Sequence, residues 1–142
     1  MTIATILAAK GDDVVTVAPD APVAEAVRLL AERRIGALPV VEAERVAGIL
    51  SERDILYGLA EHGPALLQHA VRDVMTAPAI GTTRETPILA ALGLMTRRRI
   101  RHLPVLDGER LVGFVSIGDL VKARIDRAEA EARALRDYIQ TA

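Results

Sequence analysis

The most constraining feature of this chain is that it is written twice. When each residue is compared with the one 65 positions later, 33 consecutive positions, from Pro22/Pro87 to Asp54/Asp119, align without a gap, and 14 are identical. About half of the others exchange one apolar residue for another. A duplication of this length dictates architecture before any motif is read. Each copy must be one supersecondary unit, and neither is large enough to bury its own sheet and helices alone. The expectation is two halves packed together about a pseudo-two-fold axis. The divisions fall at 1–63 (first repeat, taken together with a short N-terminal helix), 64–73 (connector), 74–124 (second repeat) and 125–142 (a helical extension).

Both copies parse alike. A short apolar stretch, "DVVTV" or the weaker "PAIGT", predicts a first strand. In "DAPVAEAVRLLAERR", Val23, Ala26, Val27 and Leu30 recur at i, i+3, i+4 and i+7, one stripe of a helix, and Ile88, Ala91, Leu92 and Met95 repeat it. Pro22 and Pro87 stand at the start, where a missing N–H costs little. Arginines gather at the end, favourable beside the negative pole of the helix dipole. The runs "ALPVV" and "LPVL", then "VAGIL" and "LVGFV", are apolar at nearly every position, as in strands buried on both faces. A second helix follows Ser51 and Ser116. The fold class is α/β of the α+β type, two pseudo-symmetric β-α-β-β-α units. A short helix in "TIATILAA" precedes them and one long helix runs from "IGDLVKARI" to the end. Along that helix Val121, Ile125, Ala128, Ala132, Leu135 and Ile139 step by four and three, a coiled-coil-like seam. It either folds back on its own domain or meets another subunit.

Composition narrows the function. Net charge is −1, so no global basic field draws in a polyanion. With one Phe, two Tyr and no Trp, the stacking platforms of single-strand binders are missing. Both observations weigh against nucleic acid. The chain has no cysteine, which removes thiolate nucleophiles, disulfides and Cys-ligated metals. No apolar run approaches the roughly 20 residues of a membrane span, and the N-terminus lacks the pattern of a secretory signal. A cytoplasmic protein is expected. The histidines, His62, His69 and His102, form no metal-binding or catalytic motif, and no catalysis is expected.

The duplicated "GILSERD" and "GFVSIGD" carry the chemistry. A Ser that caps a helix, with Asp three residues on, is a capping box with Asp in place of Glu. Capping explains Ser and Asp but not the Gly inside an apolar strand, which marks a close approach by something else. A ligand explains all three. The helix N-terminus and the Ser hydroxyl suit a phosphate, the Asp carboxylate suits the vicinal diol of a ribose, and Gly admits a flat ring. The paired runs "RRIGALPV" and "RRIRHLPV" add arginines near a strand start. There, Arg101 and His102 are expected to alternate, one toward the core and one toward a cleft.

Taken together, "hGALPVV"–turn–"hhGIhSERDI" and a second copy ending "RHLPVhD…LhGhhSIGDLV" (h, apolar) resemble a tandem pair of CBS domains, the family named after cystathionine β-synthase, across residues 11–124. The resemblance implies a Bateman module of the small stand-alone bacterial type, which dimerises into a flat disk. It implies binding of AMP, ADP, ATP, NAD(H) or S-adenosylmethionine between the repeats, and regulation of a further, unidentified protein. By resemblance Asp54 and Asp119 hold ribose hydroxyls, and Ser51 and Ser116 contact phosphate with Arg53 and Arg101. Adenine lies around Val15, Ile35 and Gly36 or around Ile80 and Ile100, with His102 also counted in the adenine pocket. Gly118 stands where the first copy has Arg53, and Gly36 where the second has Arg101, so the two clefts are expected to differ. A structural interaction module whose motifs only cap helices is the alternative.

Overall fold

A computed structural model of the chain describes residues 1–11 and 13–141. Within the first repeat, helix α2 (Val23–Arg33) leads through a short corner into strands β1 (Ala37–Glu42) and β2 (Arg45–Ser51) and then helix α3 (Glu52–His62). Helix α4 (Ile88–Arg98), strands β3 (His102–Asp107) and β4 (Arg110–Ser116) and the long helix α5 (Ile117–Thr141) repeat that order. Helix α1 (Ile3–Lys10) precedes both. The reading that carried the last helix to residue 142 holds as far as Thr141; Ala142, like Asp12, lies outside the described residues.

The strands form one antiparallel sheet in the order β1-β2-β4-β3, itself symmetric about its centre. Each hairpin is fully paired, and each carries a register shift at the same place, next to Val40↔Gly48 and Val105↔Gly113. The hairpins join at a single pair, Arg45↔Arg110. The first strand expected of each repeat is reduced to one parallel bridge, Val17↔Val40 and Thr82↔Val105. The two bridging residues are 65 apart. Only two backbone bonds hold each, for instance Val17 N–H to Pro39 O at 3.1 Å and Val41 N–H to Val17 O at 2.9 Å.

The two amphipathic stripes behave as their spacing dictates. Val23, Ala26 and Leu30, and likewise Ile88, Ala91 and Met95, are buried. Pro22 and Pro87 are the residues just before the helices, in extended conformation, and Arg34 and Arg99 end them in the left-handed region at φ 53° and 54°. Among the described residues the buried side chains gather into two cores. The first gathers Val17, Ala26, Leu30, Leu38, Val40, Leu50 and Val71. The second gathers Ile88, Ala91, Met95, Leu103, Val105, Val115 and Leu120 together with Ile3, Ile6 and Leu7. Helix α1, grouped above with the first repeat, therefore packs on the second. The connector covers the first: Leu66, in a 3₁₀ turn over Gly63–Gln68, is fully buried, as is Val71. The reason is the duplication itself. Each repeat lacks a cover on one face, and the segment preceding the other repeat supplies it.

Helix α5 resolves the choice between folding back and projecting. Its first turns pack through Leu120 and Ala123 on the second core. Beyond Ala123 every described residue is exposed, including Leu135 at 60% and Tyr138 at 70%. The seam does not fold back on this chain.

Candidate functional site

The turn from β2 into α3 forms the capping box that its sequence specifies. Asp54 N–H donates to Ser51 Oγ at 3.3 Å, and Ser51 N–H donates to Asp54 Oδ2 at 2.9 Å. The Ser51 hydroxyl itself donates to Asp54 Oδ2 at 3.1 Å. The other carboxylate oxygen, Oδ1, accepts from Thr76 Oγ1 at 2.9 Å. A carboxylate has about four acceptor positions, so Asp54 keeps capacity for a further donor. Thr76 is also the residue that closes over Gly48. Its N–H and C=O exchange bonds with Ile49, at 2.9 and 3.0 Å. A Cβ on Gly48 would lie 2.7 Å from Thr76 O and 2.8 Å from Met75 Sδ. The approaching group that explains this glycine is thus the chain's own backbone.

A cleft of about 330 Å³ opens in front of this turn, within the range of small-molecule sites. One wall is Gly36, Ala37, Ile49, Ser51, Glu52, Arg53 and Asp54 from the first repeat, and Thr76, Pro78, Ala79 and Ile80 line the approach to the second. The opposite wall is Arg99, Ile100, Arg101 and His102. The cleft therefore joins the Ser/Asp motif of one copy to the arginine run of the other. Arg53 ties them, its Nη1 donating to Arg99 O at 3.2 Å.

The expected alternation of Arg101 and His102 fails, since both line the cleft. Arg101 lies before β3 begins and is not held to the pleat. The His102 ring stacks on Phe114, centroids 5.6 Å apart and 12° from parallel. Burial holds its pKa below the ordinary value of 6.5, against the opposing pull of the Glu52 carboxylate. Of the remaining expected residues, Gly36, Ile80 and Ile100 line the cleft and Val15 and Ile35 do not. Val15 packs half-buried against the first core, and Ile35 is exposed. Glu52 and Thr76 escaped the reading of the sequence. Glu52 is the counterpart of Ile117 and so broke the pattern, and Thr76 lies outside the aligned positions.

The second motif is built alike and covered differently. Ser116 N–H donates to Asp119 Oδ2 at 2.8 Å, and Asp119 N–H donates to Ser116 Oγ at 3.1 Å. Here, however, Lys10 Nζ lies 2.7 Å from Asp119 Oδ2 and 2.9 Å from Phe114 O. Leu7 closes over Gly113, whose Cβ would meet its side chain at 2.7 Å. Burial alone would raise the Asp119 pKa; hydrogen bonds from Lys10 and Ser116 outweigh it and hold the carboxyl below its ordinary value. A groove of about 620 Å³ between α1 and α5 is lined by this ion pair, Lys10 and Asp119, and by Met1, Ile6, Lys122 and Arg127 among others. Among the described residues no cluster of His, Asp and Glu could hold a metal ion, and no helix is long and apolar enough to cross a membrane.

Comparison with known proteins places this geometry. The family model of the CBS domain matches twice, over residues 10–61 and 71–126. The chain is 40% identical over 126 residues to the CBS domain-containing protein CBSX3, mitochondrial, of Arabidopsis thaliana, covering 85% of this chain and 61% of that protein. In structure it resembles a CBS-domain-containing protein of Agrobacterium tumefaciens, with a TM-score of 0.82 and 40% identity, over 87% of this chain and 92% of the other. It also resembles CBSX2 in complex with AMP, with a TM-score of 0.73 and 26% identity, over 83% and 92% of the two chains.

Proposed function

Because the chain belongs to the CBS-domain family, as a tandem pair, we propose that it is a regulatory module. It senses an adenosine-containing ligand in the cleft between its repeats and passes that state to a partner protein. One observation carries the reading: a diol acceptor, a helix N-terminus and a set of arginines converge from two repeats on one cleft of nucleotide size. In this pose Asp54 accepts the ribose hydroxyls. Ser51, the N-terminus of α3 and the side chains of Arg53, Arg99 and Arg101 face the phosphate. Ile80 and Ile100 flank the base, with Gly36 and His102 at its edge. AMP bound to CBSX2 supports the choice of ligand class. AMP, ADP, ATP, NAD(H) and S-adenosylmethionine all present the adenosine this pose requires. Its role is regulatory rather than catalytic.

We read the molecule as a cytoplasmic homodimer. Leu56, Tyr57 and Leu59 on α3 and Val121, Ile125, Leu135 and Ile139 on α5 are exposed in the single chain, and burial against a second copy is their natural outlet.

The test is calorimetry against that ligand panel. At least one member binds, and Asp54→Ala abolishes its binding while leaving the fold intact. The purified chain releases the physiological member for mass spectrometry on denaturation. The capping boxes at Ser51 and Ser116 favour a second reading, in which both motifs only terminate strands and start helices. A melting temperature that no member of the panel moves would select it, since a ligand at 100 times its Kd adds about 2.7 kcal/mol.

A further inference from the structure

Helix α5 is rooted by one face and presents the opposite one. At about 100° per residue, Val121, Ile125, Ala128, Ala132, Leu135 and Ile139 fall within an arc of about 80° and run for about five turns. All six are exposed. Ala123, packed on the second core, and Asp126, which lines the groove toward α1, lie on the far side of the helix from that arc. The stripe has coiled-coil spacing, with Ile125, Ala132 and Ile139 at position a and Val121, Ala128 and Leu135 at position d. Isoleucine at a with leucine at d favours two parallel strands. The flanks specify direction independently. Arg124 and Glu131 stand at g, and Glu129 and Arg136 at e. In a parallel pair each g residue faces the e residue five positions on in the other helix. Arg124 then meets Glu129 and Glu131 meets Arg136, each twice by symmetry, and all four pairs are of opposite sign. In the antiparallel pair that overlaps the whole seam, Glu129 meets Glu129, Glu131 meets Glu131 and Lys122 meets Arg136, all of like sign. Sliding that pair by one heptad relieves the repulsion and leaves two of the four large apolar residues uncovered.

We propose that the exposed face of α5 docks on α5 of a second copy as a parallel two-stranded coiled coil whose direction is set by these four charges. The proposal extends the homodimer reading and rests on it. The occupant is a second copy because each of the four charges finds its opposite in an identical sequence. Those charges are available: among the described residues Arg124, Glu129 and Arg136 form no ion pair within the chain, and Glu131 meets only Arg127, at 3.0 Å on exposed surface. A carboxylate has about four acceptor positions, so Glu131 can serve both arginines. The two-fold axis of a parallel pair runs along the helices. The second repeats, in which both helices are rooted, therefore stand side by side, and the two C-terminal ends lie together. Each copy's long helix is then held to its twin, and a change in the tilt of one is carried to the other.

The chain has no cysteine, so one introduced thiol reports direction. In a parallel coil residue 139 faces its own copy within disulfide reach. In the antiparallel registers above, the two are about 16 Å or more apart along the axis. The full-length Ile139→Cys chain is expected to form a disulfide-linked dimer under mild oxidation, whereas Ala130→Cys, on the opposite face of the helix, stays unlinked. Sedimentation of the reduced full-length chain gives the second readout. Arg124→Glu sets like charges against Glu129 at two symmetric places and is expected to raise the dimer dissociation constant about tenfold. Adding Glu129→Arg restores it, a rescue that an antiparallel pair would not show. A dimer in which Ile139→Cys stays unlinked, or links no better than Ala130→Cys, overturns the proposal and leaves the homodimer reading standing. So does a dimer indifferent to Arg124→Glu. A chain that sediments as a monomer overturns the homodimer reading itself, and the proposal with it.

Discussion

At the scale of single residues, the two copies test each other. Val17 and Thr82 occupy equivalent positions, and each forms the one bridge left of its repeat's first strand. Val17 fits its site without polar atoms. Thr82 is buried, and among the described residues its Oγ1 is the one buried side-chain polar atom without a hydrogen-bond partner. A hydroxyl desolvated and unpaired costs about 1–3 kcal/mol. Replacing it with the residue the other copy uses, Thr82→Val, is expected to raise stability by about 1 kcal/mol in urea unfolding, with the bridge to Val105 intact. A loss of stability would show that the hydroxyl is satisfied in solution. The same comparison explains why two glycines at one motif position differ in tolerance. Gly48 faces the backbone oxygen of Thr76, which cannot move without breaking the bonds to Ile49. Gly113 faces the carbons of Leu7, a side chain able to turn aside.

At the scale of elements, stability and association come from different parts of the chain. The first turns of α5 belong to the second core, through Leu120 and Ala123. Beyond Ala123 every described residue of the helix is exposed. Removing residues 128–142 is therefore expected to change unfolding free energy by no more than about 0.5 kcal/mol and to leave nucleotide binding unaltered. The same truncation lowers the mass measured by light scattering, if the seam with Leu135 and Ile139 joins two copies; an unchanged mass would assign dimerisation to α3. Helices and hairpins were legible beforehand because their signals are local. The stripes of α2 and α4, the prolines before them and the Ser/Asp caps all sit within one turn of the feature they specify. The cleft was legible only in part. Asp54 and Ser51 announce themselves by spacing, but Thr76 reaches Asp54 from 22 residues away, and Lys10 reaches Asp119 from 109. Both lie in segments outside the aligned positions, where no duplicated pattern flagged them. The 65-residue offset did hold one clue: it sets α1 against the connector, and so predicts that both are covers.

At the scale of the whole molecule, the sheet is continuous in order and nearly divided in substance. Each hairpin is paired along six residues, whereas β2 and β4 share one pair, flanked by bonds of 3.4 Å from Val46 N–H to Glu109 O and 3.3 Å from Leu111 N–H to Glu44 O. With a separate core on each side, rotation about this joint disturbs little packing. Hydrogen exchange is expected to be faster at Val46 and Leu111 than at amides within the hairpins. A ligand bridging Asp54 and Arg101 should slow both. Equal protection in the free chain would mean that the halves move as one body. Helix α5 gives that rotation somewhere to go. Its 25 residues make a rod of about 37 Å, rooted on the second core and unsupported past its second turn. Its first turn carries Asp119, the carboxylate that Lys10 holds. An ammonium group a few ångströms from the pivot thus sets the aim of a lever, and a tilt of a few degrees at the root sweeps the far tip through several ångströms.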